Sequence, residues 1–137
     1  MRVQLQQAYC IHSRPYRETS KIVEMLTPGH GLVSCIYRAS KKQSNSAGFL
    51  FVPSLISWNG RGNLFTLTHT EFAGVKHISS THLYILGMYM NELIFRLVPK
   101  LSPSEEIFSL YQNIISVLEG SDSQENFLRL FEIELLA

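Results

Sequence analysis

A chain of 137 residues, 45% hydrophobic and 17% charged, holds enough apolar material for a packed core and has the length of one domain or two small modules, which excludes a disordered chain. The net charge of +1 conceals a split: residues 1–77 carry nine Lys/Arg against three Asp/Glu, a net of +6, while residues 78–137 carry three against eight, a net of −5. The basic half suits a polyanion partner, and with no apolar run long enough for a bilayer and no continuous apolar stretch of a signal peptide at the N-terminus, a cytoplasmic protein without membrane contact is expected.

The first half has the period of strands. Val3, Leu5, Tyr9 and Ile11 alternate with Gln4, Gln6, Cys10 and His12, the pattern of a half-buried strand. A polar loop, Ser13-Arg14-Pro15-Tyr16-Arg17-Glu18-Thr19-Ser20, is expected next. Residues 21–27 form a second strand, closed by the turn signal Pro28-Gly29-His30-Gly31, and residues 32–38 a third. Residues 39–48 are polar, hold Lys41 and Lys42, and are expected as a flexible loop. Residues 52–58 and 63–72 make the fourth and fifth strands, joined by Asn59-Gly60-Arg61-Gly62. Five short strands, tight turns and one long loop suggest a small Greek-key barrel, of which the OB-fold is the best-known example at this size; SH3-like barrels also fit.

The second half changes period. Ser79 or Ser80 can cap a helix over about residues 81–98, with Leu83, Leu86, Met90, Leu93, Ile94 and Leu97 on one face and Pro99 past its end. Ser102-Pro103-Ser104-Glu105 has the features of a capping box with proline in the first helical position. It opens a second helix with Ile107, Leu110, Tyr111, Ile114, Val117 and Leu118 on one face, which stops near Gly120. Residues 122–125 open a third, carrying Phe127, Leu128, Phe131 and Leu135. Leu135-Leu136-Ala137 contains no stop signal, so a chain cut short is expected. The fold class is α+β: a five-stranded barrel over residues 1–78 and an incomplete helical domain over 79–137.

The chemistry is that of binding. No Gly-rich phosphate loop, GxSxG, CxxC or HExxH is present, the five histidines have no metal-ligand spacing, and no enzyme is expected. Cys10 and Cys35 are read as small core residues. Arg14, Arg17, Lys21, Arg38, Lys41, Lys42 and Arg61 concentrate in or beside loops of the strand-rich half, where they can line a groove for phosphates. Tyr16, Tyr37, Phe49, Phe51 and Trp58 lie close by and can stack on bases. Tyr37 shares a strand face with Val33 and Cys35 and reads first as core. Trp58 can brace the barrel, and Phe49 and Phe51 are open to either role. Thr66, Thr68 and Thr70 make a polar strand face, expected to meet solvent. Arg129 reads first as a surface partner of Glu125 or Glu132, and second as an anion anchor beside an apolar pocket. A protein-interaction adaptor, with the barrel as scaffold and acidic helices as the binding face, is the alternative to nucleic-acid binding.

Several strings, in order, resemble one family. His12-Ser13-Arg14-Pro15-Tyr16-Arg17-Glu18-Thr19-Ser20, Gly60-Arg61-Gly62-Asn63-Leu64-Phe65-Thr66-Leu67-Thr68 with Glu71, Tyr89-Met90-Asn91-Glu92-Leu93-Ile94-Phe95-Arg96-Leu97 and Leu128-Arg129-Leu130-Phe131-Glu132-Ile133-Glu134-Leu135-Leu136 are similar to segments of the bacterial DNA repair protein family RecO. The sequence departs from the family at Ala39, where Gly is common, and at Leu130, where a second arginine is frequent. The resemblance implies an N-terminal OB-fold followed by a helical domain, in a cytoplasmic, nucleoid-associated protein without cofactors. It implies binding of single- and double-stranded DNA, annealing of complementary strands, and work with RecR that helps RecA displace single-stranded-DNA-binding protein. It transfers DNA contact to the segment of Arg38, Lys41 and Lys42. It transfers capture of that binding protein's acidic C-terminal tail to Arg129, with Leu128 and Phe131 beside it.

Overall fold

The computed structural model describes residues 1–38, 50–74 and 81–118, apart from the side chains of Val117 and Leu118. The strands are β1 (Arg2–Tyr16), β2 (Ser20–Thr27), β3 (Gly31–Arg38), β4 (Ser54–Asn59) and β5 (Phe65–Phe72), followed by helices α1 (Thr81–Leu97) and α2 (Glu105–Leu118). The strands close a barrel in the order β1-β2-β3-β5-β4, with β4 returning to β1. The β3–β5 pair is parallel and the rest are antiparallel. This is the five-stranded Greek-key barrel of an OB-fold.

One long strand serves two partners. β1 pairs with β4 through Arg2 to Ala8 and with β2 through Tyr9 to Tyr16. The register shifts between Val3 and Gln6 and again between Cys10 and His12, and such bulges add the twist a small barrel needs to close. The first shift overturns the expected alternation. Leu5 adopts φ 49°, turns its side chain outward to 54% exposure, and donates its N–H to Ser57 Oγ at 3.0 Å. The expected loop of residues 13–20 is also corrected. Residues 13–16 belong to β1, and the turn is only residues 17–19, with Arg17 at φ 57°. Pro15 lies near the end of the ladder, where a residue without an N–H is tolerated. β4 begins at Ser54, after Pro53, and β5 at Phe65, each two residues later than the pattern suggests.

Strand burial separates two apolar clusters. Ala8, Cys10, Val23, Met25, Val33, Cys35, Tyr37, Ile56, Trp58 and Phe65 fill the barrel interior. On the outer face, Tyr9, Ile11, Leu26 and Leu32 join Phe51 and the helices through Leu83, Met90, Ile94, Phe108, Tyr111, Ile114 and Ile115. α1 carries the expected stripe, except that Leu97 at its end is 45% exposed. Gly87 lets the helix approach closely, since a Cβ there would sit 2.7 Å from the Phe51 ring. Tyr111 donates its hydroxyl to the buried Asn91 Oδ1 at 2.7 Å, tying α2 to α1.

The capping expectation is corrected by two residues. Ser104, not Ser102, caps α2: its Oγ accepts the Ile107 N–H at 3.2 Å, and its carbonyl accepts the Phe108 N–H. Ser102 is held elsewhere. Leu101 donates its N–H to the Leu32 carbonyl at 3.0 Å and Lys100 bridges Leu32, so this segment lies along the start of β3. Gly31 receives it at φ 71°, where a Cβ would meet the Ser102 carbonyl oxygen at 2.4 Å. The loop of residues 39–48, the Ser79 or Ser80 cap, the stop at Gly120 and the third helix lie outside the described residues.

Candidate nucleic-acid interface

Register places the cationic residues. Residues directly opposite in a ladder share a face, so the pairings of β1, β2 and β3 define four outward rungs. From one end to the other these are Tyr9–Leu26–Leu32, His12–Glu24–Ser34, Arg14–Ile22–Ile36 and Tyr16–Ser20–Arg38. The alternate residues Val23, Met25, Val33, Cys35 and Tyr37 point into the barrel.

Helices occupy the lower two rungs. Leu26 and Leu32 lie in the cluster shared with α1 and α2, and the His12 ring stacks on Phe95 at 4.4 Å. Glu24, 1% exposed, accepts the Ser34 hydroxyl on one oxygen and faces Lys100 Nζ at 3.5 Å on the other. The upper two rungs carry the charge. Arg14 and Arg38 are exposed at opposite edges, and Tyr16 and Ser20 are half-buried. Arg17, one residue past Tyr16, lies with its guanidinium 5.1 Å from the Tyr16 ring centre. Lys21 stands at the same end, level with Pro15 and Tyr37.

The ion pairs follow the same division. Arg96 pairs with Glu92 on α1, and Lys100 with Glu24. Among the described residues, Arg14, Arg17 and Arg38 make no ion pair, so their charge remains available to an outside anion. Beyond the Cys35–Phe65 and Ile36–Thr66 pairs, β3 and β5 part. A groove of about 510 Å³ opens there, lined among the described residues by Tyr37, Arg38 and Leu67 to Phe72. Thr66 and Thr68 are exposed, as expected, and Thr70 is half-buried. His69 and Glu71 pair at 3.5 Å in the groove wall.

The structure thus gathers Arg14, Arg17 and Arg38, but not Arg61. Arg61 lies in the β4–β5 turn, on the other side of the Cys35–Phe65 level from Arg38. Lys41 and Lys42, and Leu128, Arg129 and Phe131, lie outside the described residues. The aromatic candidates divide sharply. Tyr37 is core as expected, and Trp58 and Phe51, each 0% exposed, brace the barrel and the helix contact, which removes them as stacking platforms. Phe49 lies outside the described residues, and Tyr16 is half-buried. The sequence pattern missed the rung itself. Its signal was the three-strand register around Ser20, which no single segment displays.

Burial leaves the described core without an ionised nucleophile. It pushes both thiols, Cys10 and Cys35, up to about 12, with the Glu24 charge adding to the effect at each. Neither forms a disulfide and both are buried, as small core residues should be. Burial also raises Tyr111 well above the usual phenol value, keeping it a hydrogen-bond donor. No helix among the described residues is long and apolar enough to cross a membrane.

Comparison with known proteins adds the family. The sequence model described as recombination protein O N terminal matches residues 1–75, and that of recombination protein O C terminal matches residues 79–137. The chain is similar to proteins named DNA repair protein RecO. The one from Nitrosococcus oceani is 44% identical over all of this chain and 57% of the relative. The one from Methylococcus capsulatus is 40% identical over 98% and 57%, and that from Pseudomonas aeruginosa is 37% identical over 96% and 56%. The chain therefore spans little more than half the length of the curated relatives it matches. With both family models matched in order along this barrel and its helices, the chain belongs to the recombination protein O family.

Proposed function

We propose that this protein acts in DNA repair and recombination by binding single- and double-stranded DNA and annealing complementary strands. The observation that carries the reading is the register that brings Arg14, Arg17 and Arg38, without ion pairs among the described residues, to one end of β1–β2–β3. The chain runs from Arg38 towards Lys41 and Lys42, which extend the basic segment, and Arg61 adds a more distant contact. Phosphate neutralisation lowers the repulsion between two strands, and weak, sequence-tolerant contacts leave bases free to pair. Residues 1–78 are the DNA-binding unit in this reading and residues 79–137 a helical unit for protein contacts. There Leu128, Arg129 and Phe131 receive the tail of single-stranded-DNA-binding protein, in concert with RecR and to the benefit of RecA.

The test is fluorescence anisotropy with single-stranded DNA across a salt series, with annealing of complementary oligonucleotides measured in parallel. The parent should bind, anneal and lose affinity as salt rises. Arg38/Lys41/Lys42→Ala should flatten the single-strand salt slope by roughly 2, at about 0.7 per lost phosphate contact. A folded parent that neither binds nor anneals at low salt, or a triple variant that binds as the parent does, overturns the reading in favour of the adaptor.

A further inference from the structure

We infer that Tyr16 is a base-stacking platform that makes the upper rung a single-strand subsite, an inference that rests on the DNA-binding reading. Of five aromatic side chains near the basic residues, burial withdraws Tyr37, Phe51 and Trp58, and Phe49 lies outside the described residues. Phe72, 48% exposed, lines the groove with Arg38, whereas Tyr16 is the half-buried aromatic on the same rung as Arg38 and against Arg17, two arginines without an ion pair among the described residues.

Its surroundings suit a nucleotide. The Arg17 guanidinium lies over one face of the ring at 5.1 Å, so a base takes the other face or displaces it, and in either case meets a cation beside the ring. Ser20, the middle residue of the rung, is small and leaves room between Tyr16 and Arg38. Two strand spacings separate those outer Cα atoms, roughly 10 Å. A base on Tyr16 thereby keeps its phosphates within reach of Arg38 across the rung and Arg14 on the rung below. Arg38 also lines the groove beside Thr68 and Thr70, which offers the strand a polar exit along β5.

Stacking discriminates between DNA forms. Every base has a π face, so the subsite tolerates any sequence. In a duplex those faces are already stacked on neighbouring pairs, and only the phosphates are on offer. The arginines therefore serve both forms, whereas Tyr16 serves single strands. It also holds a base turned out from the backbone, with its pairing edge free for an incoming complement.

The experiment compares the parent with Tyr16→Leu, Tyr16→Trp and Arg38→Ala, each of confirmed folding by circular dichroism, on oligothymidylate and on a mixed-sequence duplex. Tyr16→Leu should lose about tenfold in oligothymidylate affinity, keep its duplex affinity, and keep its salt slope. Arg38→Ala should weaken both ligands and flatten both slopes. Tyr16→Trp should retain affinity, and oligothymidylate but not duplex should quench its fluorescence. A Tyr16→Leu protein that binds oligothymidylate like the parent, or weakens equally on both ligands, overturns the platform and leaves the DNA-binding reading standing. A parent that binds neither ligand overturns both.

Discussion

Four rungs climb one face of the barrel on the same three strands, and although Ile22 in the third rung is buried too, the lower pair and the upper pair differ in charge and in what packs against them. Below, Leu26 and Leu32 are buried under two helices, and the one carboxylate, Glu24, is sealed against Ser34 and Lys100. Above, Arg14 and Arg38 stand exposed at opposite edges without ion pairs among the described residues. The strand geometry is continuous between them. The difference comes from what packs against each half: helices that bury apolar side chains turn one half into core, and the other half keeps its cations for an outside anion. An OB-fold can thus use half of a sheet face to hold a neighbouring domain and the other half to meet a ligand.

Substitutions in the two halves should separate stability from binding. The largest effect is expected where the helical segment is pinned to the barrel. Gly31→Ala forces a left-handed residue and drives a Cβ into the Ser102 carbonyl, and should cost about 3 kcal/mol in urea unfolding. A variant as stable as the parent would mean that the Lys100 to Ser102 segment does not dock on β3 as described. Next, Tyr111→Phe strips the buried Asn91 Oδ1 of its donor and should cost about 1–2 kcal/mol by the same measurement, with DNA affinity unchanged. The smallest effect on stability belongs to the upper half. Arg38→Ala, at an exposed residue with no ion pair among the described residues, should move stability by less than about 0.5 kcal/mol while weakening binding of both DNA forms. A large loss of stability there would erase the contrast between the halves.

Much of the architecture is legible in the chain, and the misses share a cause. The five strands and first two helices appear near their expected places because period-2 and helical spacings are local signals. Leu5 points outward because a bulge, a property of two strands, breaks the alternation. Residues 13–16 read as loop from their polarity and proline, yet they extend the ladder because β2 is long enough to pair them. Ser102 has better capping spacing than Ser104, but its backbone is pinned against Gly31, so the helix starts after it. Cys10 and Tyr9 are adjacent and both buried, since one faces the barrel interior and the other the helices.

The candidate site divides in the same way. Composition alone reveals a basic N-terminal half, and motif strings alone reveal the family, because charge and residue order need no coordinates. What only the tertiary structure decides is which charges act together and which aromatics can reach a ligand. Arg14, Arg17 and Arg38 converge because antiparallel register aligns the end of β1, the start of β2 and the end of β3. Arg61 does not join them because it lies in the turn on the other side of the level at which β3 and β5 pair. Tyr37 already reads as core from its strand face and the closed barrel buries it, whereas Phe51, open to either role in the sequence, is withdrawn only by its burial against the helices. Sequence records residue chemistry and local period; barrel closure and helix docking select the side chains left to meet a partner.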